Sequence, residues 1–404
     1  MKKNYFNLAM VLALLLGGIL GFFDLPSVIG IADVISKLFI NMLKLISLPM
    51  IFLAIVSTLS RMTSLSEAGI LLRRILTYTV ATTLIAATIG MILFLIIQPV
   101  NLGEAVGVAV PKQGNYLSFL MKIIPENPVQ PFLENNVLGM AFLATIFSIA
   151  ILKLPKEQNH LLRDFFGSLF SALLKMTSAL ILLMPLGIFA FTIQFVQSIK
   201  GNAAQLQQLI LYGLCVIGAN LIQGLIVLPL MVKLRGGSPM RTARAMFPAL
   251  TIAFFTKSSN ATLPLALDCA KNRLGVSDKT ASFSLPLCSI INMNGCAAFI
   301  LITLFFVCGS QGIVFSPLQM IPWIFLASFA AIGNAGVPMG CFFLTTAFLI
   351  GMGVPVELMG IILPLYSLFD MVETALNVWS DSCITAVVDK ELKIPATSSV
   401  VEAN

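Results

Sequence analysis

Apolar stretches long enough to cross a lipid bilayer recur along this chain. A hydrocarbon core of about 30 Å takes roughly 20 residues of helix. Runs of that length lie near residues 6–23, 32–58, 73–99, 130–152, 164–198, 206–232, 280–308 and 357–388. The chain of 404 residues is 58% hydrophobic and 10% charged, with mean hydropathy +0.99. That is more apolar surface than a soluble core could hide, so an all-α integral membrane protein with eight spans is expected. The opening MKKNYFNLAMVLALLLGGILGFF has the lysine pair and apolar run of a signal peptide. It has no small-residue cleavage site and is followed by more such runs, so it reads as the first span.

Two further apolar regions, 241–274 and 317–350, are each broken halfway, by KSSNATLP (Lys257–Pro264) and by GNAGVPMG (Gly333–Gly340). A break at membrane depth frees backbone N–H and C=O groups that hydrocarbon cannot satisfy, so it survives only inside protein or beside a wet cavity. Both regions are read as re-entrant helical hairpins, with a pair of kinked spanning helices as the alternative. The order hairpin, span, hairpin, span has the hydropathy of an inverted repeat, a pattern of secondary transporters.

Lys and Arg placement sets the orientation. With the N-terminus inside, the inner loops collect Arg73, Arg74, Lys153, Lys156, Arg241, Arg244, Lys390 and others, against Lys112, Lys122 and Lys200 outside. Both termini are then cytoplasmic. The net charge of +7 follows from this bias and gives no separate case for nucleic-acid binding. The seven cysteines sit singly in apolar runs and read as small hydrophobes, with no disulfide framework or zinc site expected. The single histidine, His160, reads as a loop residue in KEQNHLLRD.

Near the end of the chain stands DMVETALNVWSD, Asp370–Asp381. On a helix advancing 100° per residue, Asp370, Glu373, Asn377 and Asp381 fall within about 80° of arc, with Thr374 beside them. Buried carboxylates in a membrane are costly, and such residues mark function unless neighbouring helices satisfy them. In the preceding span, SIINMNGCAAF places Asn292, Asn294 and Gly295 in an apolar run, where Gly lets the backbone open. Hard cations such as Na⁺ take oxygen ligands, and two Asn side chains, opened carbonyls and the Asp381 carboxylate could converge. With the two broken hairpins, this describes a midplane site for a small solute and cations.

The motifs TKSSNATLP, LPLCSIINMNG, IGNAGVPMG and DMVETALNVWSD occur in the order found in the dicarboxylate and amino-acid:cation symporters, which this chain resembles over nearly its whole length. The family includes glutamate transporters and bacterial serine/threonine symporters. The resemblance implies a homotrimer working as an elevator. A static scaffold would comprise 1–72 and 101–199, and the moving part 73–100 and 200–390, with 391–404 a cytoplasmic tail. It also implies that Asp370 takes the substrate's α-amino group, with Thr374 and Asn377 alongside. Ser258 and Ser259 would offer donors to the α-carboxylate at a half-helix N-terminus, and backbone at Val337 would close from the second hairpin. One sodium site would use Asn292, Asn377 and Asp381. A second would use carbonyls near Ile290, Met293, Ala331, Ile332 and Asn334, and a third Thr82, Thr83 and the motif holding Asn294.

The chain departs from glutamate transporters at three positions. Glu373 stands where they carry an Arg that forks onto the substrate's side-chain carboxylate. Two like charges about 4 Å apart at an effective dielectric near 20 repel by roughly 4 kcal/mol, which argues against an acidic substrate. ETALN, Glu373–Asn377, resembles the serine/threonine symporters and favours Ser, Thr or Ala. A bare Glu could instead attract Lys, Arg or ornithine, or only hydrogen-bond within the protein. Cys296, where glutamate transporters have Thr, fits a small neutral substrate. Asn294 replaces an Asp, and an amide holds Na⁺ less well, so fewer coupled ions are expected; Glu373 could otherwise carry H⁺ as a coupling ion. A channel, a non-transporting amino-acid receptor and a membrane hydrolase with Ser258 or Ser259 as nucleophile are the competing classes. For the last, only Lys257 could serve as base, so no enzyme is expected. Short outer loops point to a bacterial inner membrane.

Overall fold

A computed structural model describes residues 2–60, 69–100, 124–134, 136–200, 203–334 and 339–393, and among them every regular element is helical. α1 (Lys2–Phe22), α2 (Pro26–Leu59) and α3 (Gly69–Ile97) match the first three apolar runs. Helices of 28 or more residues at Ile70–Ile97, Ala204–Leu234, Asp278–Ser310 and Glu357–Leu392 are long and apolar enough to cross a membrane.

Two expected spans differ in detail. The run at 130–152 is a single turn, α4 (Gln130–Leu133), followed by α5 (Val137–Leu152), which Asn136 caps by accepting the Gly139 N–H at 3.0 Å. The run at 164–198 starts earlier, as α6 (Lys156–Leu182), and is interrupted at Leu183 before α7 (Met184–Ile199). Pro185 causes that break, because it has no N–H and its ring clashes with the preceding turn. His160 is therefore not in a loop: it is exposed on the first turns of α6.

The sixth apolar run is α8 (Ala203–Ile222), a π-helical turn at Gln223–Val227 and α9 (Leu228–Leu234). The first broken region is α10 (Pro239–Thr256) and α11 (Ser259–Asp268), the latter continued by a π turn to Leu274. Lys257, at φ 54°, ends α10 in the left-handed region, and the Ser258 hydroxyl caps α11. The chain doubles back there, since the Arg241 guanidinium at the start of α10 reaches the Leu274 carbonyl. The second broken region is α14 (Pro317–Gly333) and α15 (Gly340–Gly351). It also reverses: Trp323 near the start of α14 meets Phe348 near the end of α15, with ring centroids 6.4 Å apart.

Between them the seventh run opens where Asn292 and Gly295 foretell it, into α12 (Asp278–Ile291) and α13 (Asn294–Ser310), with Asn292 and Met293 non-helical. α16 (Glu357–Lys393) closes the fold as one helix. Every residue of α13 from Asn294 to Gly309 is buried, as an all-round apolar helix must be. It packs on α3, α8, α14, α15 and α16 and forms the centre of one packing group. In a second group α1 packs on α7, and α2 packs on α5, α6 and α7. Outer helices keep large apolar faces exposed, among them Leu12, Leu15, Ile19, Val80, Ile92 and Ile96. At about 25 cal/mol per Å² such faces are unfavourable in water and favourable in lipid, so this is a multi-pass membrane protein.

Candidate functional site

α16 passes alongside the breaks in α12/α13 and between the two hairpins, and its polar stripe faces inward. Glu373, Thr374, Asn377 and Asp381 are buried, and Asp370 is half-buried. From Asp370 to Asp381 the stripe climbs about 16 Å at the helical rise of 1.5 Å per residue, and it carries two polar layers.

The first layer is a pocket lined by Lys257 and Ser259 from the first hairpin, and by Asn334 and Cys341 from the second. Met293 and Cys296 come from the opened span, with Tyr366, Asp370, Glu373, Thr374 and Asn377 from α16. The Thr374 hydroxyl lies 3.5 Å from Asp370 Oδ1, to which it donates. Asn377 accepts the Gly295 N–H at 2.9 Å, which joins the two helices. Lys257 Nζ donates to Ser367 Oγ at 2.8 Å, which carries a positive charge to the Asp370 side of the pocket. Both oxygens of Glu373 are buried with no hydrogen-bond partner. An unpaired buried carboxylate is disfavoured, so this one is left for something that enters.

Gly295 makes the close approach possible. A Cβ there would lie 2.9 Å from Glu373 Cα and 2.8 Å from Asn220 Oδ1. Gly295→Ala is therefore expected to push α13 from α16 and cost about 1–3 kcal/mol, read as a lower thermal midpoint of the detergent-purified protein.

The second layer is a closed polar network. Asn292 Nδ2 donates to Asp381 Oδ1 at 2.8 Å, and Asn294 Nδ2 donates to Asn292 Oδ1 and to Ser380 Oγ, both at 2.8 Å. Gln223 Nε2, on the π turn, donates to Asn294 Oδ1 at 2.8 Å and to the Thr82 carbonyl at 3.0 Å. The Thr82 hydroxyl reaches to 3.5 Å of Asn292 Oδ1, whereas Thr83 bonds back to the Thr79 carbonyl. Carboxylate, amide and carbonyl oxygens at this density are the donor set of a hard cation.

Of the residues expected to bind substrate, Ser259, Cys296, Asp370, Glu373, Thr374 and Asn377 share the pocket. Ser258 does not line it, because its hydroxyl accepts the Ala261 N–H at 3.2 Å as a helix cap. Val337 lies outside the described residues. Among the expected cation ligands, Asn292, Asn294, Asp381 and Thr82 meet in one network. Asn377 sits one turn away in the pocket layer, and Thr83 turns back to its own helix. Ile290, Met293, Ala331, Ile332 and Asn334 stand at the ends of the broken helices. Asn334 Nδ2 turns to two sulfurs, at 3.1 and 3.4 Å, and its Oδ1 is unpartnered.

The expectation that no cysteines pair is corrected here: Cys296 and Cys341 are joined, with Cα atoms 5.4 Å apart. They are 45 residues apart in sequence, so only the fold brings them together. Lys257, Gln223, Tyr366 and Cys341 were missed as site residues. Gln223 was the most findable, as a lone amide in the apolar run ANLIQGLIVLPL.

Comparison with known proteins decides the family. A family model described as the sodium:dicarboxylate symporter family matches residues 6–391. This chain belongs to that family. Relatives include an excitatory amino acid transporter of Caenorhabditis elegans, 26% identical over 96% of this chain and 88% of its own length. Neutral amino acid transporter B(0) of Oryctolagus cuniculus is 27% identical over 86% and 71%, and excitatory amino acid transporter 2 of Homo sapiens 26% over 90% and 74%. As a sodium:dicarboxylate symporter family member, the protein is a sodium-coupled transporter of the amino-acid and dicarboxylate class, with Na⁺ the coupling ion.

Proposed function

We propose that this protein is a secondary active symporter that couples inward Na⁺ flux to uptake of a small neutral amino acid of the Ser, Thr or Ala type. The observation that carries this reading is Glu373: a buried carboxylate, both oxygens unpartnered, on the pocket wall where an acidic side chain would have to come. Asp370 receives the ammonium group. Ser259 and Lys257 face the carboxylate end, so a zwitterion finds both partners.

The same observation favours one competing reading. An unpartnered Glu373 would also suit the charged end of lysine or arginine. Calorimetric titration of the purified protein with serine, lysine and aspartate, in Na⁺ and in choline, separates the two. Serine binding that requires Na⁺ is expected; aspartate binding tighter than serine would overturn both readings.

Transport is proposed to follow an elevator path in a homotrimer, with α3 and the chain from 200 to 390 moving against 1–72 and 101–199. The two packing groups support that division. The two hairpins then re-enter the membrane between eight spans, both termini are cytoplasmic, and the setting is a bacterial inner membrane. No enzymatic step is proposed, since the Ser258 hydroxyl is committed to capping α11.

Ion stoichiometry is proposed to be reduced relative to family members with Asp at position 294. Both amide protons of Asn294 are given to Asn292 and Ser380, and its oxygen is taken by Gln223. Asn294→Asp is expected to raise the slope of uptake against Na⁺ concentration by about one ion and to raise Na⁺ affinity. An unchanged slope would contradict it.

A further inference from the structure

The bond between Cys296 and Cys341 joins two walls of the pocket. Cys296 sits in the first turn of α13 and Cys341 in the first turn of α15, both buried, and the Asn334 amide donates to both sulfurs. With the bond in place the cavity is about 20 Å³, room for about one water. Any amino acid needs these walls to part, and the bond ties them where they would separate. Both oxygens of Glu373 lie unpartnered nearby, and each sulfur comes within 4.8 Å of a carboxylate oxygen.

We propose that Cys296 and Cys341 form a reversible redox site that controls admission to the pocket: bonded, the pocket is shut; as two thiols, α15 is free to leave α13 and the substrate enters. This rests on reading the pocket as the substrate site. The oxidant is a low-molecular-weight organic disulfide, RSSR. One cysteine thiolate attacks RSSR, forming a protein–S–S–R bond and releasing RS⁻. The second thiolate attacks the protein sulfur of that bond, forming Cys296–Cys341 and releasing a second RS⁻. Two electrons pass from the cysteine pair to RSSR, and the two thiol protons end on two RSH, with Glu373 placed to accept a proton on the way. An external dithiol reverses the exchange.

The test uses the full chain in proteoliposomes, treated with oxidised glutathione and then with dithiothreitol, with three readouts. Maleimide tagging after denaturation counts thiols: seven are expected in the reduced protein and five in the oxidised one. Sodium-driven amino-acid uptake is expected to fall by about tenfold or more on oxidation and to return with dithiothreitol. Amides of Gly340–Gly351 are expected to exchange hydrogen about tenfold faster in the dithiol state. In Cys296→Ser and Cys341→Ser, uptake at whatever level remains is expected to ignore the oxidant. Seven tags after oxidation would overturn the proposal, as would five tags with unchanged uptake. If no amino acid accumulates in either state the symporter reading fails, and hydrogen exchange then decides the redox site: equal rates in the two states overturn it.

Discussion

Glu373→Arg is expected to turn a carrier that refuses aspartate into one that takes it, with a gain in aspartate affinity of about a thousandfold. The native carboxylate is buried on the pocket wall with both oxygens unpartnered. Against a substrate carboxylate about 4 Å away it contributes a repulsion of roughly 4 kcal/mol at an effective dielectric near 20. A guanidinium there reverses the sign and adds a forked pair of hydrogen bonds. The check is competition by aspartate against serine uptake in parent and variant. The Gln variant is the informative control, since it removes the charge without supplying a fork. It is expected to relax the refusal only partly.

Asp370→Asn is expected to raise the apparent KM for serine by about a hundredfold or more. Removing one partner of a desolvated charge pair costs about 2–5 kcal/mol, because the other charge is left unpaired. In the folded protein the Asp370 carboxylate takes the Thr374 hydroxyl at a long 3.5 Å. Asn can accept the same contact, so the loss is read in binding rather than in folding. Equal thermal midpoints for parent and variant, measured without substrate, establish that. A KM within a few-fold of the parent would remove Asp370 from the ammonium contact.

Much of this was legible in the sequence, for physical reasons that differ from element to element. The stripe of Asp370, Glu373, Asn377 and Asp381 follows from helical periodicity alone, and α16 is one uninterrupted helix. The break at Asn292–Met293 was legible because two amides and a glycine interrupt an apolar run, and Gly295 proves to need its missing Cβ. The hairpins were visible as polar breaks of the right depth, though their reversal needed contacts such as Trp323 with Phe348.

What escaped depended on three-dimensional neighbours. Ser258 and Ser259 are adjacent and chemically equal, yet one caps a helix and the other lines the pocket. Lys257 has the look of a loop cation until its left-handed backbone aims it at Ser367. Cys296 and Cys341 carry no local signal of pairing, because each sits alone in its own apolar run. The interruption at Leu183 was hidden inside an apolar run, where only Pro185 marked it.

Uptake of radiolabelled serine, arginine and aspartate into proteoliposomes under an imposed inward Na⁺ gradient tests the central claim most directly, with the cysteines kept reduced. Serine is expected to accumulate above its outside concentration, to stop when choline replaces Na⁺, and to be displaced poorly by arginine and aspartate. Aspartate accumulating best in the parent protein would contradict the account, since the charge of Glu373 would then not be what the substrate meets.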